Sequence, residues 1–505
     1  MTSLFNRYNI LTIIIMLPGL LLTGSLYASP QDISGIVNDY GRVNTIEAAD
    51  AVILDDVSGF SAGDTVLFIQ MKGVSVYTTQ TNSFGTVDGY LGQPDDKMGF
   101  YEFIIIEQVE PGPKRITFRS NLIGYPDYDV EGFIQLVKVP SYENAVVKNP
   151  GLTCEPWDSI SGTGGVLAVI VNSKLVLDNG DIDVTGKGFK GGEVSVMDGA
   201  PLGTDIYYYD ESSTVAGRKG EGMASHTNLT TDKLIIPPYA KGRAPLHIGG
   251  GGATGAFSGA GGGGSFGQGG KGGKQDGAFV SGSGGINVDA PSFSDRVIMG
   301  GGGGGSGYKD AGTGSGGAAG GGMVFVLADV LVGNGNSIIA NGDTVTIVPS
   351  GEGGAGGGGG AGSIVLSVKT FVDSSSVNLE ANGGTGGHTT ELFGAGGGGG
   401  GGLVWVSSSS VPDSVLTSVS GGSAGQLNWD TGSGSDANPG ADGIVRTDLK
   451  MLLNGFLFNS LISSYTGETV DSICYGQVPF EIAGTEPVGG NEPYTFRWER
   501  KGDEE

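Results

Sequence analysis

Cysteine, histidine and basic residues are scarce in this chain. The two cysteines, Cys154 and Cys474, lie far apart, no C-x-x-C occurs, and the three histidines, His226, His247 and His388, are scattered. A zinc site of the Cys/His type therefore has no support. Lysine and arginine total 27 against 53 acidic residues, a formal net charge of −26. Phosphate contacts need clustered Lys and Arg, so neither a nucleic acid nor an anionic membrane surface is an expected partner. No G-x-x-x-x-G-K-[ST] motif occurs, which removes a phosphate-binding P-loop. No three-residue glycine repeat occurs, which removes collagen. Only one long apolar run is present, at residues 10–22.

That run belongs to a three-part leader at residues 1–28. Arg7 supplies positive charge, the apolar stretch follows, and Gly24 to Ala28 ends on a small residue. The pattern predicts a signal peptide cleaved after Ala28. The run is too short to span about 30 Å of hydrocarbon, so the mature chain is expected to have no membrane-spanning segment. A secreted, cell-surface location follows.

Glycine is abundant: 100 of 505 residues, about one in five against a usual share of roughly 7%. Apolar residues still make up 38%, enough for a core, and the length suggests two to four domains. Residues 30–150 have ordinary composition. Apolar runs at 64–71 (DTVLFIQM), 100–106 (FYEFIII), 115–118 (RITF) and 132–139 (GFIQLVKV) alternate with turn clusters and lack helical periodicity. They predict a compact β-rich domain.

From about 162 to 445 short apolar strands alternate with glycine tracts. Gly165, Gly322, Gly362 and Gly402 precede VLAVIV, MVFVLA, SIVLSV and LVWVSS, the last three at a spacing of 40 (322, 362, 402). A second short strand and glycine follow each anchor, as in DIDVTG (181–186), IIANG (338–342), VNLEANGG (377–384) and TSVSGG (417–422). Residues 187–320 form a large insertion between the first two units. Such units cannot bury their apolar faces alone, so they are expected to stack. Glycine loses the most entropy on ordering, and extended threefold glycine segments have no internal hydrogen bonds. Bundled side by side, they would satisfy one another. A flexible linker would instead carry Gly/Ser repeats without interleaved strands.

The alternation of GGGG tract, VxVxV strand and ANGG in 162–445 resembles glycine-rich surface proteins of Gram-negative bacteria. More loosely it is similar to the polyglycine-bundling domains of phage tail-tip adhesins and of the anaplastic lymphoma kinase receptor. GDTVLFIQMKG at 63–73, YEF at 101–103 and QLVKVPSYENA at 135–145 resemble the β-rich segment that precedes such regions in exported proteins of Bacteroidota. Residues 455–505 contain VDSICYGQ, IAGTEPVGG and PYTFRW. This series resembles the opening strands of an immunoglobulin-like repeat of the gliding-motility adhesin or polycystic-kidney-disease type. A sandwich module needs about 100 residues, so the chain is expected to be a fragment or the module incomplete. The resemblance also implies type IX secretion, although no sorting domain is visible.

Candidate sites are few. Gly59-Phe60-Ser61-Ala62-Gly63 fits G-x-S-x-G, but a strand follows where a nucleophile elbow needs a helix. Asp178, Asp181 and Asp183 offer alternating oxygen ligands for calcium, without the later Glu of a calcium loop; a solvated β-turn explains them better. Tyr207, Tyr208 and Tyr209, followed by Asp210 and Glu211, form an aromatic trio able to contact a sugar ring or a protein partner, or to pack into a core. Cys154 and Cys474 have the option of pairing after export. The expected fold is all-β: a β-rich domain, a stacked glycine-rich region and the start of an immunoglobulin-like sandwich. The expected role is adhesion or extracellular scaffolding toward a surface glycan or protein ligand, with no catalysis and no cofactor apart from calcium. Two alternatives are a polysaccharide-active enzyme on a β-solenoid, which needs two facing carboxylates, and an ice- or mineral-binding protein, which needs regular Thr or Asp at one repeat position. The matched strand positions Leu167, Val324, Ile364 and Val404 show no such regularity.

Overall fold

A computed structural model describes residues 29–454, apart from 88–96, 199–204, 225–239, 275–279, 289–293, 311, 391–392 and 428–435. The leader at 1–28, the immunoglobulin-like segment at 455–505 and Cys474 lie outside the described residues. Among the described residues the chain is all-β, with one 3-10 turn at Val130–Gly132 and no α-helix.

Strand β1 (Gln31–Ile36) joins a large parallel sheet. The next six, β2 (Tyr40–Ala48), β3 (Ala51–Leu54), β4 (Thr65–Gln70), β5 (Tyr101–Glu110), β6 (Arg115–Phe118) and β7 (Ile134–Lys138), close into an antiparallel barrel in the order β2-β3-β6-β5-β4-β7. Closure removes the open edges that six short strands would otherwise expose. Side chains alternate across a strand. On β4, Val66 and Phe68 point into the barrel with Ile104, Ile134 and Leu136. Leu67 and Ile69 point outward into a second core shared with Val166, Phe325 and Trp405. Burial on both faces is why residues 64–71 read as a continuous apolar run rather than an alternating one.

The rest of the chain winds as parallel coils. Its strands are β8 (Ser141–Thr153), β9 (Val166–Leu177), β10 (Ile182–Asp183), β11 (Ser195–Val196), β12 (Gly307–Tyr308), β13 (Met323–Val332), β14 (Ser337–Ile339), β15 (Ser363–Phe371), β16 (Val377–Glu380), β17 (Leu403–Val406), β18 (Val415–Ser418) and β19 (Ile444–Arg446). One wall runs β8-β9-β13-β15-β17-β19; the other runs β10-β14-β16-β18. Long β8 joins them: Val147 pairs with Leu177 of β9, and Leu152 with Ile182 of β10. β8 runs across residue 150, through Asn149-Pro150-Gly151, and its pairing with β1 shifts register there. Leu167, Val324, Ile364 and Val404 stand in one ladder of the first wall. They pack against Ile182, Ile338 and Leu379, which form a ladder of the second. The opposite face of the first wall, with Val166, Ala168 and Phe325, carries the barrel.

Glycine tracts build a third wall. The segment 355–362 shows the principle. Its N–H groups turn to three neighbours in rotation: Ala355, Gly358 and Ala361 donate to the carbonyls of Gly394, Gly397 and Gly400, Gly357 and Gly360 to Gly304 and Gly301, Gly359 and Gly362 to Asp343 and Ala340. Its carbonyls accept from three others: Ala260 and Gly263, Ala318 and Gly321, Gly384 and Gly387. A period of three with no internal bonds is the geometry of an extended threefold helix, here surrounded by six others. Contact is backbone to backbone: a Cβ on Gly359 would lie 1.9 Å from the Ala319 carbonyl oxygen, and one on Gly362 1.7 Å from that of Gly322. Segments of 187–320 supply several of these neighbours, so the insertion is part of the same lattice.

Candidate functional site

Where the barrel meets the glycine lattice, a cleft of about 260 Å³ opens, lined by Lys72, Ser159, Lys190, Glu193, Arg218, Lys219 and Glu221 among others. Lys72 lies just beyond β4, and its Nζ sits 2.5 Å from Glu221 Oε1. The same ammonium lies 5.2 Å from the Phe189 ring centre, 5.6 Å from Phe133 and 6.0 Å from Trp157, within cation–π range. Glu221 also accepts from Trp157 Nε1 (3.0 Å), Ser159 Oγ (2.9 Å) and the Lys190 backbone N–H (3.1 Å). Burial alone would raise its pKa. Lys72 and the other donors outweigh that, and the net shift is downward. Four donors on two carboxylate oxygens leave it little room to accept a proton from a substrate.

Lys219 is buried and donates to the carbonyls of Tyr207 (3.2 Å), Gly242 (3.0 Å) and Ala244. Burial, and secondarily Arg243, pull its pKa well below the usual lysine value; the three carbonyls favour the ammonium and oppose that pull. Arg218 pairs with Glu211 and, at 3.5 Å, with Glu193. The cleft thus gathers cations of an acidic chain, most of them already matched to carboxylates or carbonyls of the same fold.

The tyrosine trio lies beside this cleft. Tyr207 stacks under the Arg243 guanidinium at 4.0 Å, Tyr208 leans on Phe84 at 5.2 Å, and Tyr209 is buried. Gln80 holds the segment by accepting from the Tyr207 N–H (2.8 Å) and donating to the Tyr208 carbonyl (2.9 Å). Tyr207 and Tyr208 are half-buried against a small core with Phe84, Ala244 and Leu246.

The three calcium candidates do not converge. Asp178 pairs with Lys148, Asp181 Oδ1 accepts from the Ser337 N–H (2.7 Å), and Asp183 Oδ1 from the Thr185 N–H (2.8 Å). Each serves a different turn or coil, and among the described residues no group of three His, Cys, Asp or Glu side chains is placed to hold a metal ion. Cys154 is buried in the core between the walls, where desolvation pushes its thiol up to about 12. His247 is fully buried, in the left-handed region (φ 53°), with neither ring nitrogen hydrogen-bonded. Lys72, Lys219 and Glu221 carry no motif; lysine and glutamate set among glycines (IQMKG, RKGEG) are their only trace in the sequence.

The chain matches no family model, no curated protein and no solved structure in comparison with known proteins.

Proposed function

We propose that this is an exported, non-catalytic cell-surface protein that acts in adhesion or extracellular scaffolding, toward a surface glycan or a protein. The observation that carries this reading is the glycine wall. Hydrogen bonds running to six neighbours hold each inner strand, as at 355–362, and produce a body whose outer faces keep their shape. Such a body suits the presentation of a surface more than the motions of a catalytic cycle. The saturated Glu221 supports the same reading, as do the leader at 1–28, the strong negative charge and the resemblance to surface proteins of Bacteroidota.

The test is protease treatment of intact cells, with the protein measured on the cells and in the medium. Most of it is expected on cells and removable by protease, and deletion of the gene is expected to reduce attachment. Protein found mainly free in the medium, with attachment unchanged on deletion, overturns the reading.

A further inference from the structure

The second wall and the outermost glycine strands share one register. Below the ladder Ile338–Leu379–Thr417, Asn341, Asn382 and Ser420 come level, then Thr344, Thr385 and Ser423. The bonds between rows fix this alignment. Asn382 N–H donates to Asn341 Oδ1 (2.6 Å) and Ser420 N–H to Asn382 Oδ1 (2.8 Å). Thr385 N–H donates to Thr344 Oγ1 (3.1 Å), and Gly386 N–H to the Ser423 carbonyl (3.0 Å). The side chains of Asn341, Asn382 and Thr344 thus cap backbone N–H groups of the next row. A threonine hydroxyl that accepts in this way keeps its own O–H to donate.

Thr344, Ser420 and Ser423 are exposed, and Asn341, Asn382 and Thr385 half-buried. Five of the six positions between the columns are glycine, Gly342, Gly383, Gly384, Gly421 and Gly422, with no side chain to break the plane; the sixth is the exposed Asp343, whose Oδ1 accepts from the Thr344 N–H (2.8 Å). A Cβ on Gly383 or Gly422 would fall 2.0 or 2.1 Å from a neighbouring carbonyl oxygen, so the rows are locked from behind. Polar groups recur about every 9 Å along a row, three residues at roughly 3.1 Å each, and about 5 Å from row to row, the usual spacing of hydrogen-bonded extended chains. The chain carries 53 acidic residues, yet the six column positions are uncharged; Glu380 flanks them, Asp343 stands within the first row, and Asp442 Oδ1 accepts from the Gly421 N–H (2.9 Å).

We propose that this face binds a neutral polysaccharide presented as an ordered, insoluble array. A flat grid of hydroxyl and amide groups offers each sugar few contacts, so it gains affinity only where the ligand repeats as the grid does. Preorganised rows keep the ordering cost low. A charged mineral would call for charged columns, and a protein partner for buried aromatic or arginine anchors; the six positions provide neither. The proposal rests on the adhesion reading and names its ligand class.

Sedimentation of the purified full chain with microcrystalline cellulose, chitin powder and hydroxyapatite tests it. Two variants are compared, Thr344→Val/Thr385→Val and the single Ser423→Arg, which projects a large cation from the outermost row and leaves the backbone caps intact. A single cooperative thermal transition verifies their folding. Retention on at least one of the two polysaccharides, reduced fivefold or more by Ser423→Arg, is expected. Failure to sediment with either polysaccharide, retention on hydroxyapatite alone, or undiminished retention of a folded Ser423→Arg protein overturns the proposal. If deletion still abolishes cell attachment in that event, the adhesion reading stands and only this surface assignment falls.

Discussion

Gly359→Ala places one methyl group where the glycine wall has no space for it. The new Cβ would lie 1.9 Å from the Ala319 carbonyl oxygen and 2.5 Å from its carbon, so a shift of at least 1.1 Å is needed to reach even a tight 3.0 Å separation. The Ala319 oxygen accepts from the Asp343 N–H, and Gly359 itself donates to Asp343 and accepts from Gly384. Moving one row strains these bonds together. Overpacking typically costs about 1–3 kcal/mol and a buried group left without its partner roughly a further 1–3 kcal/mol, which gives about 2–6 kcal/mol. Gly335→Ala is the control. Gly335 has φ +78° and open space around its Cβ position, so alanine there meets only the left-handed backbone penalty of about 1–2 kcal/mol, and Gly335→Asn recovers most of it. Urea unfolding followed by the fluorescence of buried Trp157 and Trp405 measures all three. A Gly359→Ala cost below about 1 kcal/mol, or one no larger than that of Gly335→Ala, would refute close backbone contact as the reason for glycine.

Acid should weaken the fold through His247. Burial lowers its pKa to about 4, against roughly 6.5 unfolded. The unfolded chain therefore binds a proton that the native chain refuses across this window, and stability falls as pH falls. The loss is about 2 kcal/mol between pH 7 and pH 5, and His247→Asn, which tolerates the same φ, should flatten it; an equally steep pH profile in that variant would exclude His247 as the cause. At the cleft, Glu221→Gln or Lys72→Met alone leaves a buried charge and should cost about 3–5 kcal/mol. The double variant should cost at least about 1 kcal/mol less than the sum, and strict additivity in chemical denaturation would mean that the two groups do not act as a pair.

The strands were legible wherever both faces are buried. Residues 166–171, 323–328, 364–366 and 403–406 are unbroken apolar runs because their even and odd positions face two different cores. Their preceding glycines place Leu167, Val324, Ile364 and Val404 in one register. By contrast, β2 (YGRVNTIEA) and β8 (SYENAVVKNPGLT) mix polar residues with turn formers and read weakly, and barrel closure leaves no local mark. The partners of each glycine strand are also illegible. Without side chains, 355–362 has nothing in its sequence to say that it pairs with 301–304 rather than with any other tract. The Lys72–Glu221 pair spans 149 residues, a separation at which no spacing rule operates. The tyrosine trio was visible as a feature, but its half-buried packing on Phe84 and Arg243 depends on loops distant in sequence.

The path of the chain after β19 has a mechanical consequence. Residues 449–454 turn back to the barrel: Phe103 donates to the Leu452 carbonyl, Asn454 N–H donates to the Phe103 carbonyl, and Asn454 Nδ2 reaches Glu102 Oε2 at 2.6 Å. Glu102 is fully buried and also accepts from Tyr128 Oη and the N–H groups of Ile123 and Gly124. Tension arriving through residue 454 is thus delivered first to β5 of a closed barrel, through a short stretch of parallel pairing loaded along its length. The coils and their glycine rows stand beside that load path. A pull strong enough to peel the return segment would free it from the barrel while leaving the ladder of Leu167, Val324, Ile364 and Val404 unstretched.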